Sequence, residues 1–257
     1  MPTAALADIH GNLPALEAVL ADPRLAAADR IVVLGDVVTG TFPAETLDRL
    51  TALTGPVLFL RGNADRLALE DPGEWYEWVR ERLGPERIET VRSWPLTFAI
   101  EVEGLGPVRC CHALPHDDEG VLTPITPDPD LDAALVGIQE HVVIGGHTHV
   151  QFDRPLGKWR YVNVGAIGRP YKGRPGAYWA MLGADVELLL TDYDVEAAAA
   201  SVLVSGQPNA EEVAERCSGR RRPTRPQPGG RHLGSEDESV CGRRDRLRPC
   251  DEALRRP

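Results

Sequence analysis

Five short apolar segments of this chain are each followed at once by residue types that bind metal ions. In chain order, these residues are Asp8-Ile9-His10, Gly35-Asp36, Gly62-Asn63-Ala64-Asp65, His112 and Gly146-His147-Thr148-His149. Ligands of α/β proteins gather beyond the carboxyl ends of the strands, so we expect all five groups at one rim of a sheet. Carboxylates, an amide and imidazoles without any thiolate suit Mn, Fe, Ni or Zn. The pattern therefore predicts a site for divalent metal ions.

The local spacing of these residues favours the same interpretation. Residues i and i+2 project to the same side of an extended segment. Asp8 with His10, and His147 with His149, can therefore each present two ligands together. Glycines lie beside the candidate ligands, where they permit tight turns and a close approach of the backbone.

The set resembles the calcineurin-like metallophosphoesterases. Their pattern is Asp-x-His, Gly-Asp, Gly-Asn-x-Asp/Glu, a lone His and Gly-His-x-His, and all five elements occur here in that order. Residues 163–168 resemble the Asn-Pro-Gly-Ser-Val-Gly turn of the small bacterial phosphodiesterase branch. Residues 177–180 and 192–194 also match that branch, so the resemblance spans roughly residues 3–195.

This resemblance implies a two-metal site and a role for each of its residues. The first metal would be held by Asp8, His10 and His149, the second by Asn63, His112 and His147, with Asp36 bridging the two. We expect two divalent ions, Mn before Fe, Ni or Zn, and we assign catalysis to His112, Asp36 and Asn63.

The implied reaction is hydrolysis of a small phosphoester, with a diester preferred. The metals would lower the pKa of bound water from 15.7 to about 7, and a bridging hydroxide would attack phosphorus. One alternative is a phosphomonoesterase or nucleotidase that uses the same site. Another is a non-catalytic scaffold of the same fold, because some relatives have lost metal ligands; the retention of every ligand type here favours an enzyme.

Two departures from the family pattern narrow the function. Many relatives have His where this chain has Ala64, and that His is thought to assist the leaving group. Protein phosphatases of the superfamily have Asp-Arg-Gly soon after Gly-Asp. Here Asp36 is followed by residues 37–40, Val-Val-Thr-Gly, so we disfavour a protein phosphatase.

Several other residues have two possible roles. Asp65 is more consistent with a helix cap or a supporting role than with a metal ligand. His116 is expected in an exposed loop, although it could reach a leaving group. Three basic residues could bind phosphate but are more often solvated surface charges, and Arg169 is the best of them; the other two are Arg66 and Lys172. Three aromatic residues are expected to pack a helix rather than to stack on a nucleobase: Trp75, Tyr76 and Trp78.

The elements that must position these residues begin with a β-α-β-α-β pattern. Strand-like runs at 3–7, 31–34 and 57–60 alternate with helical spacing near 13–20 and 43–53, which predicts parallel pairing. Two helices are predicted at 74–83 and 86–94, and a last helix at 196–203. Later strands are predicted at 98–102, 108–111, 142–144, 160–164, 178–182 and 186–190. Several of them lie close together with short turns, which predicts a second, mixed or antiparallel sheet. The resemblance implies an α/β class, as a two-sheet α/β/β/α sandwich.

Composition limits the remaining possibilities. The net charge is -11, and the acidic residues are concentrated before residue 217, which argues against a broad nucleic-acid surface. No apolar run approaches the roughly 20 residues of a membrane span. Five Cys without regular spacing fit a reducing cytoplasm.

Residues 1–205 are predicted to form the metallophosphoesterase domain, and residues 206–257 a linker and a disordered tail rich in Arg, Pro and Gly.

Overall fold

The computed structural model of the chain describes residues 1–171 and 173–217. The strands are β1 (Thr3–Leu6), β2 (Arg30–Val33), β3 (Val57–Phe59), β4 (Thr97–Val102), β5 (Gly106–Cys111), β6 (Val142–Gly145), β7 (Phe152–Leu156), β8 (Trp159–Asn163), β9 (Ala177–Leu182) and β10 (Val186–Thr191). The helices are α1 (Leu13–Leu20), α2 (Pro43–Thr51), α3 (Asn63–Glu70), α4 (Glu74–Arg92), α5 (Asp128–Ala134), α6 (Val195–Leu203) and α7 (Ala210–Cys217), with a 3-10 turn at Pro23–Ala27.

The strands form two five-stranded mixed sheets. The first has the order β10-β9-β1-β2-β3, with β1, β2 and β3 parallel and β9 and β10 antiparallel to their neighbours. The second has the order β4-β5-β6-β8-β7, with β5, β6 and β8 parallel and an antiparallel strand at each edge. The carboxyl ends of three neighbouring parallel strands therefore lie together in each sheet.

Successive side chains along each strand face opposite sides of the sheet, which divides the core into layers. In β1, Ala4 and Leu6 pack against helices α1, α2 and α4, whereas Ala5 faces the second sheet. In β5, Cys110 lies between the sheets and Cys111 lies on the outer face, which α5 covers. This period of two follows from the pleat of a strand, which sends successive side chains to opposite faces. The result is a helix–sheet–sheet–helix sandwich, as expected.

The predicted β-α-β-α-β unit is confirmed, and six later strands match their predicted positions within two residues. Four of these six strands lie in the second sheet, which is mixed, whereas β9 and β10 complete the first sheet. Strand pairing between residues far apart in the chain leaves no local pattern. The two helices predicted around 74–94 form α4, which is broken at Gly84, where φ is 70°.

Four elements had no counterpart among the sequence predictions: α3, α5, β7 and α7. Strand β7 is a short edge strand that contains Pro155, and proline lowers the strand signal. Helix α7 follows the helix predicted to be the last, and its Ala214 packs on α6. Residues 218–257 of the predicted linker and tail lie outside the described residues. In the part of the chain described, no helix is both long and apolar enough to cross a membrane.

Candidate metal centre

Five of the seven predicted ligands have a backbone conformation that residues other than glycine rarely adopt. The φ angles are 53° at Asp8, 48° at His10, 54° at Asp36, 69° at His147 and 58° at His149. Each such residue costs of the order of 1–3 kcal/mol and persists only where its surroundings enforce it. The strained turns lie at the ends of β1, β2 and β6, so the strain is concentrated where the candidate ligands are.

Hydrogen bonds between these turns hold the two acidic side chains in place. The backbone N–H of His147 donates to Asp8 Oδ2 at 2.9 Å, and that of Ala64 donates to Asp36 Oδ1 at 2.8 Å. The backbone N–H of His10 donates to the carbonyl oxygen of Asp36 at 2.8 Å. Each carboxylate therefore has one oxygen anchored by a backbone amide from another loop, which leaves its second oxygen for other partners.

Two glycines let the backbone approach these carboxylates. A Cβ atom at Gly62 would lie 2.2 Å from Asp36 Oδ1, and one at Gly146 would lie 2.2 Å from Asp8 Oδ2. Real Cβ atoms do not come so close to an oxygen. Glycine is therefore required at both positions for the acidic side chains to keep their places.

The first donor cluster consists of four buried side chains from three strand ends. One potential ligand atom from each of Asp8, His10, Asp36 and His149 lies within 4.8 Å of the others. His149 Nε2 is 3.3 Å from Asp8 Oδ1, and His10 Nε2 is 3.5 Å from Asp36 Oδ2. Groups of carboxylate and imidazole donors at this spacing bind divalent ions.

The proton positions in this cluster favour a cation. His149 Nδ1 donates to the carbonyl oxygen of Arg169 at 2.7 Å, and His10 Nδ1 lies 3.3 Å from that of Thr39. A carbonyl oxygen only accepts, so in the neutral form of each ring these contacts place the proton on Nδ1. The Nε2 atoms of the two rings face each other at 3.1 Å, and the buried Asp8 Oδ1 has no hydrogen-bond partner among the described residues. A metal ion would satisfy all three atoms.

The second donor cluster lies on the other side of Asp36. His112 Nε2 is 3.4 Å from Asp36 Oδ2 and 2.9 Å from Asn63 Oδ1, and His147 Nδ1 is 3.1 Å from the same amide oxygen. His112 Nδ1 donates to the carbonyl oxygen of Leu34 at 2.8 Å, so its Nε2 points into the site. The structure thus brings all seven predicted residues together in two adjoining groups.

The electrostatics of the site favour added positive charge. Burial lowers the pKa of His10 to about 3, so its Nε2 stays unprotonated and can bind a metal. Burial alone would also lower the pKa of His112, but the Asp36 carboxylate raises it to about 10. Burial opposes ionisation of Asp36, yet the His112 and His10 imidazoles hold the pKa of this carboxyl well below its usual range. The space around Asp36 therefore favours a cation.

Asp65 supports the site from behind. Its Oδ1 accepts from the backbone N–H groups of Val37 at 2.8 Å and Val38 at 3.0 Å, and its Oδ2 accepts from that of Gly62 at 3.2 Å. Burial, followed by the neighbouring Asp36, raises the pKa of Asp65 to about 7. All of its contacts are with the turns that carry Asp36 and Asn63, which matches the expected supporting role.

The other polar candidates are not part of the two donor clusters. Arg66 forms ion pairs with Asp118 at 2.8 Å and Glu119 at 2.7 Å, so its charge is already paired within the protein. His116 is exposed, and among the described residues no hydrogen bond or ring contact joins it to either donor cluster. Lys172 lies outside the described residues.

The three aromatic residues of α4 pack as the sequence led us to expect. Trp75, Tyr76 and Trp78 are half-buried against the core beside the first sheet, and the two indole rings stack at 5.6 Å. Two contacts of the site were not among the sequence predictions. Thr39 lies against His10 Nδ1, and the ring of Tyr171 lies against His149. Neither position is marked by a motif, because both contacts arise between different loops.

Known proteins share this fold. The sequence model described as the calcineurin-like phosphoesterase superfamily domain matches residues 1–186. Phosphodiesterase YfcE of Escherichia coli (strain K12) is 27% identical over 194 residues, which cover 70% of this chain and 85% of that protein. The metallophosphoesterase from Sphaerobacter thermophilus superposes with a TM-score of 0.71 at 22% identity, covering 86% of this chain and 99% of that one. Hypothetical protein PH1004 from Pyrococcus horikoshii OT3 gives a TM-score of 0.73 at 23% identity, covering 83% and 96%. The chain therefore belongs to the calcineurin-like phosphoesterase superfamily.

Proposed function

We propose that this protein hydrolyses small phosphoesters with two divalent metal ions and prefers diesters to monoesters. The observation that carries this proposal is the position of Asp36. Its Oδ2 lies 3.5 Å from His10 Nε2 and 3.4 Å from His112 Nε2, so one carboxylate oxygen faces both donor clusters. A carboxylate in that position could help to hold two divalent ions.

The ligand assignment follows from the two clusters. The first metal would be held by Asp8, His10 and His149, the second by Asn63, His112 and His147, and both by Asp36. Mn is the metal that we propose, and Fe, Ni and Zn are compatible with the same donors. When bound, the two ions would supply a hydroxide nucleophile near neutral pH and would attract the phosphate.

The protein's own residues would orient the reaction. The Nδ1 hydrogen bonds of His10, His112 and His149 to backbone carbonyls hold each imidazole with Nε2 directed into the site. The hydrogen bond at Nδ1 fixes the orientation and the tautomer of each ring. We assign catalysis to Asp36, Asn63 and His112, because these three side chains meet at the junction of the two clusters.

The preference for a diester rests on the E. coli relative that is 27% identical, which is named a phosphodiesterase.

The test is reconstitution of the purified protein. We expect the metal-free protein to be inactive, and two equivalents of Mn to restore hydrolysis of bis(p-nitrophenyl) phosphate at a higher kcat/KM than p-nitrophenyl phosphate. Asp36→Asn should lower kcat/KM at least about 100-fold and reduce the bound metal, because both clusters lose a shared charge.

Asp130→Asn, on the exposed surface of α5, is the matched control and should keep both properties. Near-normal turnover with two bound metals in Asp36→Asn would contradict the assignment. A higher kcat/KM for the monoester would favour a phosphomonoesterase. Tight binding of two metals without any turnover would favour a scaffold.

A further inference from the structure

An exposed aromatic ring lies at the edge of the candidate metal centre. The ring of Tyr171 is 4.7 Å from that of His149 at an interplanar angle of 33°, yet Tyr171 remains 62% exposed. Its backbone N–H donates to the carbonyl oxygen of His149 at 3.2 Å, which fixes the start of this loop on the site. Part of the ring therefore covers a predicted metal ligand while most of it is open to solvent.

This exposure is unusual within the molecule. The large hydrophobic side chains that are exposed in the described part of the chain include one aromatic residue, Tyr171. An aliphatic side chain would cover His149 equally well. A planar ring adds a π face, on which a nucleobase or an aryl group can stack.

Arg169 lies at the same edge of the site. The Arg169 carbonyl oxygen accepts from His149 Nδ1 at 2.7 Å, whereas its side chain is exposed and forms no ion pair with any residue that the structure describes. The backbone of Arg169 is thus fixed against a predicted ligand, while its charged side chain is left exposed at the same edge.

We propose that Arg169 and Tyr171 form the substrate-binding edge of the site, an inference that rests on the proposed function. Tyr171 stacks on a planar group of the substrate, and Arg169 pairs with the phosphate oxygens. A phosphate held over the cluster of Asp8, His10 and His149 lies beside both residues, so an ester group on that phosphate reaches the Tyr171 ring. The substrate class is therefore a phosphoester that carries a nucleobase or an aryl group.

Binding to the Mn-loaded full-length protein tests this proposal without any turnover. Calorimetry would give the Kd for two matched pairs of ligands: phenylphosphonate with methylphosphonate, and thymidine monophosphate with deoxyribose phosphate. The protein should bind the planar member of at least one pair more tightly. Tyr171→Leu should remove about tenfold of that preference, because it takes away the aromatic face on which the planar group stacks. Tyr171→Phe should keep it.

A purely structural role for Tyr171 predicts a different result. If the ring only shields His149, Tyr171→Leu would lower metal content or weaken all four ligands equally, and the proposal would be wrong. Unchanged affinity for methylphosphonate with two bound metals would support stacking. If Tyr171→Leu loses the preference in only one pair, that pair identifies the planar group: an aryl group for the phosphonates, a nucleobase for the sugar phosphates.

Arg169→Ala tests the second contact. It should weaken the binding of all four ligands by about tenfold without changing the ratio of Kd within each pair, because all four lose the same charge-assisted bond to phosphate or phosphonate. Arg174→Ala is the matched control, since Arg174 is exposed in the same loop but paired with Asp192 at 2.7 Å, and it should change nothing. Equal affinities of the two variants would overturn the role of Arg169. If the Mn-loaded protein hydrolyses no phosphoester but shows the expected Kd ratios, the proposed function is wrong and the substrate-binding edge stands.

Discussion

At the scale of single residues, Ala64 occupies a position beside the bridging acid. Its backbone N–H donates to Asp36 Oδ1 at 2.8 Å, and its methyl group is only half-buried. Many relatives, by the resemblance of the motif, have a proton-donating His at this position. Ala has no proton to give, so help for the leaving group is weak here or comes from another residue.

This leads to a prediction about leaving groups. General acid help contributes about 10²–10⁴ in rate, so kcat/KM of the Mn-loaded protein should fall steeply as the pKa of the leaving group rises. Ala64→His should restore part of the hydrolysis of alkyl diesters. The measurement is kcat/KM for a series of aryl and alkyl phosphodiesters in both proteins.

His116 provides the control for that experiment. It is exposed on the loop after β5, so His116→Ala should leave the steep dependence unchanged. If kcat/KM of the unmodified protein does not change with the pKa of the leaving group, the prediction is refuted. If kcat/KM falls more steeply with that pKa in His116→Ala, His116 is the missing acid.

At the scale of elements, the turn after β6 depends on close backbone packing. A Cβ atom at Gly146 would lie 2.2 Å from Asp8 Oδ2 and 2.7 Å from the Ala7 side chain. The same carboxylate oxygen accepts from the backbone N–H of His147. A methyl group at position 146 must therefore displace the Asp8 side chain or the turn.

We predict that Gly146→Ala lowers metal affinity at least about tenfold, because the contacts that orient a ligand typically contribute 10–100-fold. Metal titration and kcat/KM would measure the loss. Gly183→Ala is the matched control, since Gly183 lies in the β9–β10 turn with open space around its Cβ position, and it should behave normally. Full metal affinity in Gly146→Ala would show that the turn can relax without moving Asp8.

At the scale of the whole molecule, the described fold ends in a small helical pair. Ala214 of α7 packs on Ala199 and Val202 of α6, and Arg82 of α4 donates to the carbonyl oxygen of Ser205 at 2.9 Å. These contacts join the last helices to the domain. They extend the described fold beyond residue 205, where the sequence placed the start of the linker.

Two truncations test whether helices α6 and α7, and the segment after them, contribute to stability. A chain that ends after Cys217 should keep its activity and melt within about 2 °C of the full-length protein. The reason is the lack of aromatic residues and the scarcity of aliphatic ones beyond that point. Ending the chain after Pro208 should lower Tm by about 2–8 °C, since a small apolar cluster worth about 1–2 kcal/mol is lost. Calorimetry would measure both, and a large drop for the longer truncation would show that the tail packs.

The sequence by itself determined the family, the order of the ligand motifs and the first parallel strands. These features are local: an Asp-x-His pair at a strand end, a glycine beside a ligand and an apolar period of two can each be read within a few residues. Metal chemistry also restricts which residue types can take part, so the seven candidate positions stood out before any fold was known.

The tertiary structure decided what depends on contacts between distant segments. It placed β9 and β10 in the first sheet, paired Arg66 with Asp118, and set the ring of Tyr171 against His149. It also set Asp36 between two imidazoles contributed by the ends of β1 and β5. No single stretch of sequence encodes such distances, because they arise only when the two sheets pack and bring their strand ends to one edge.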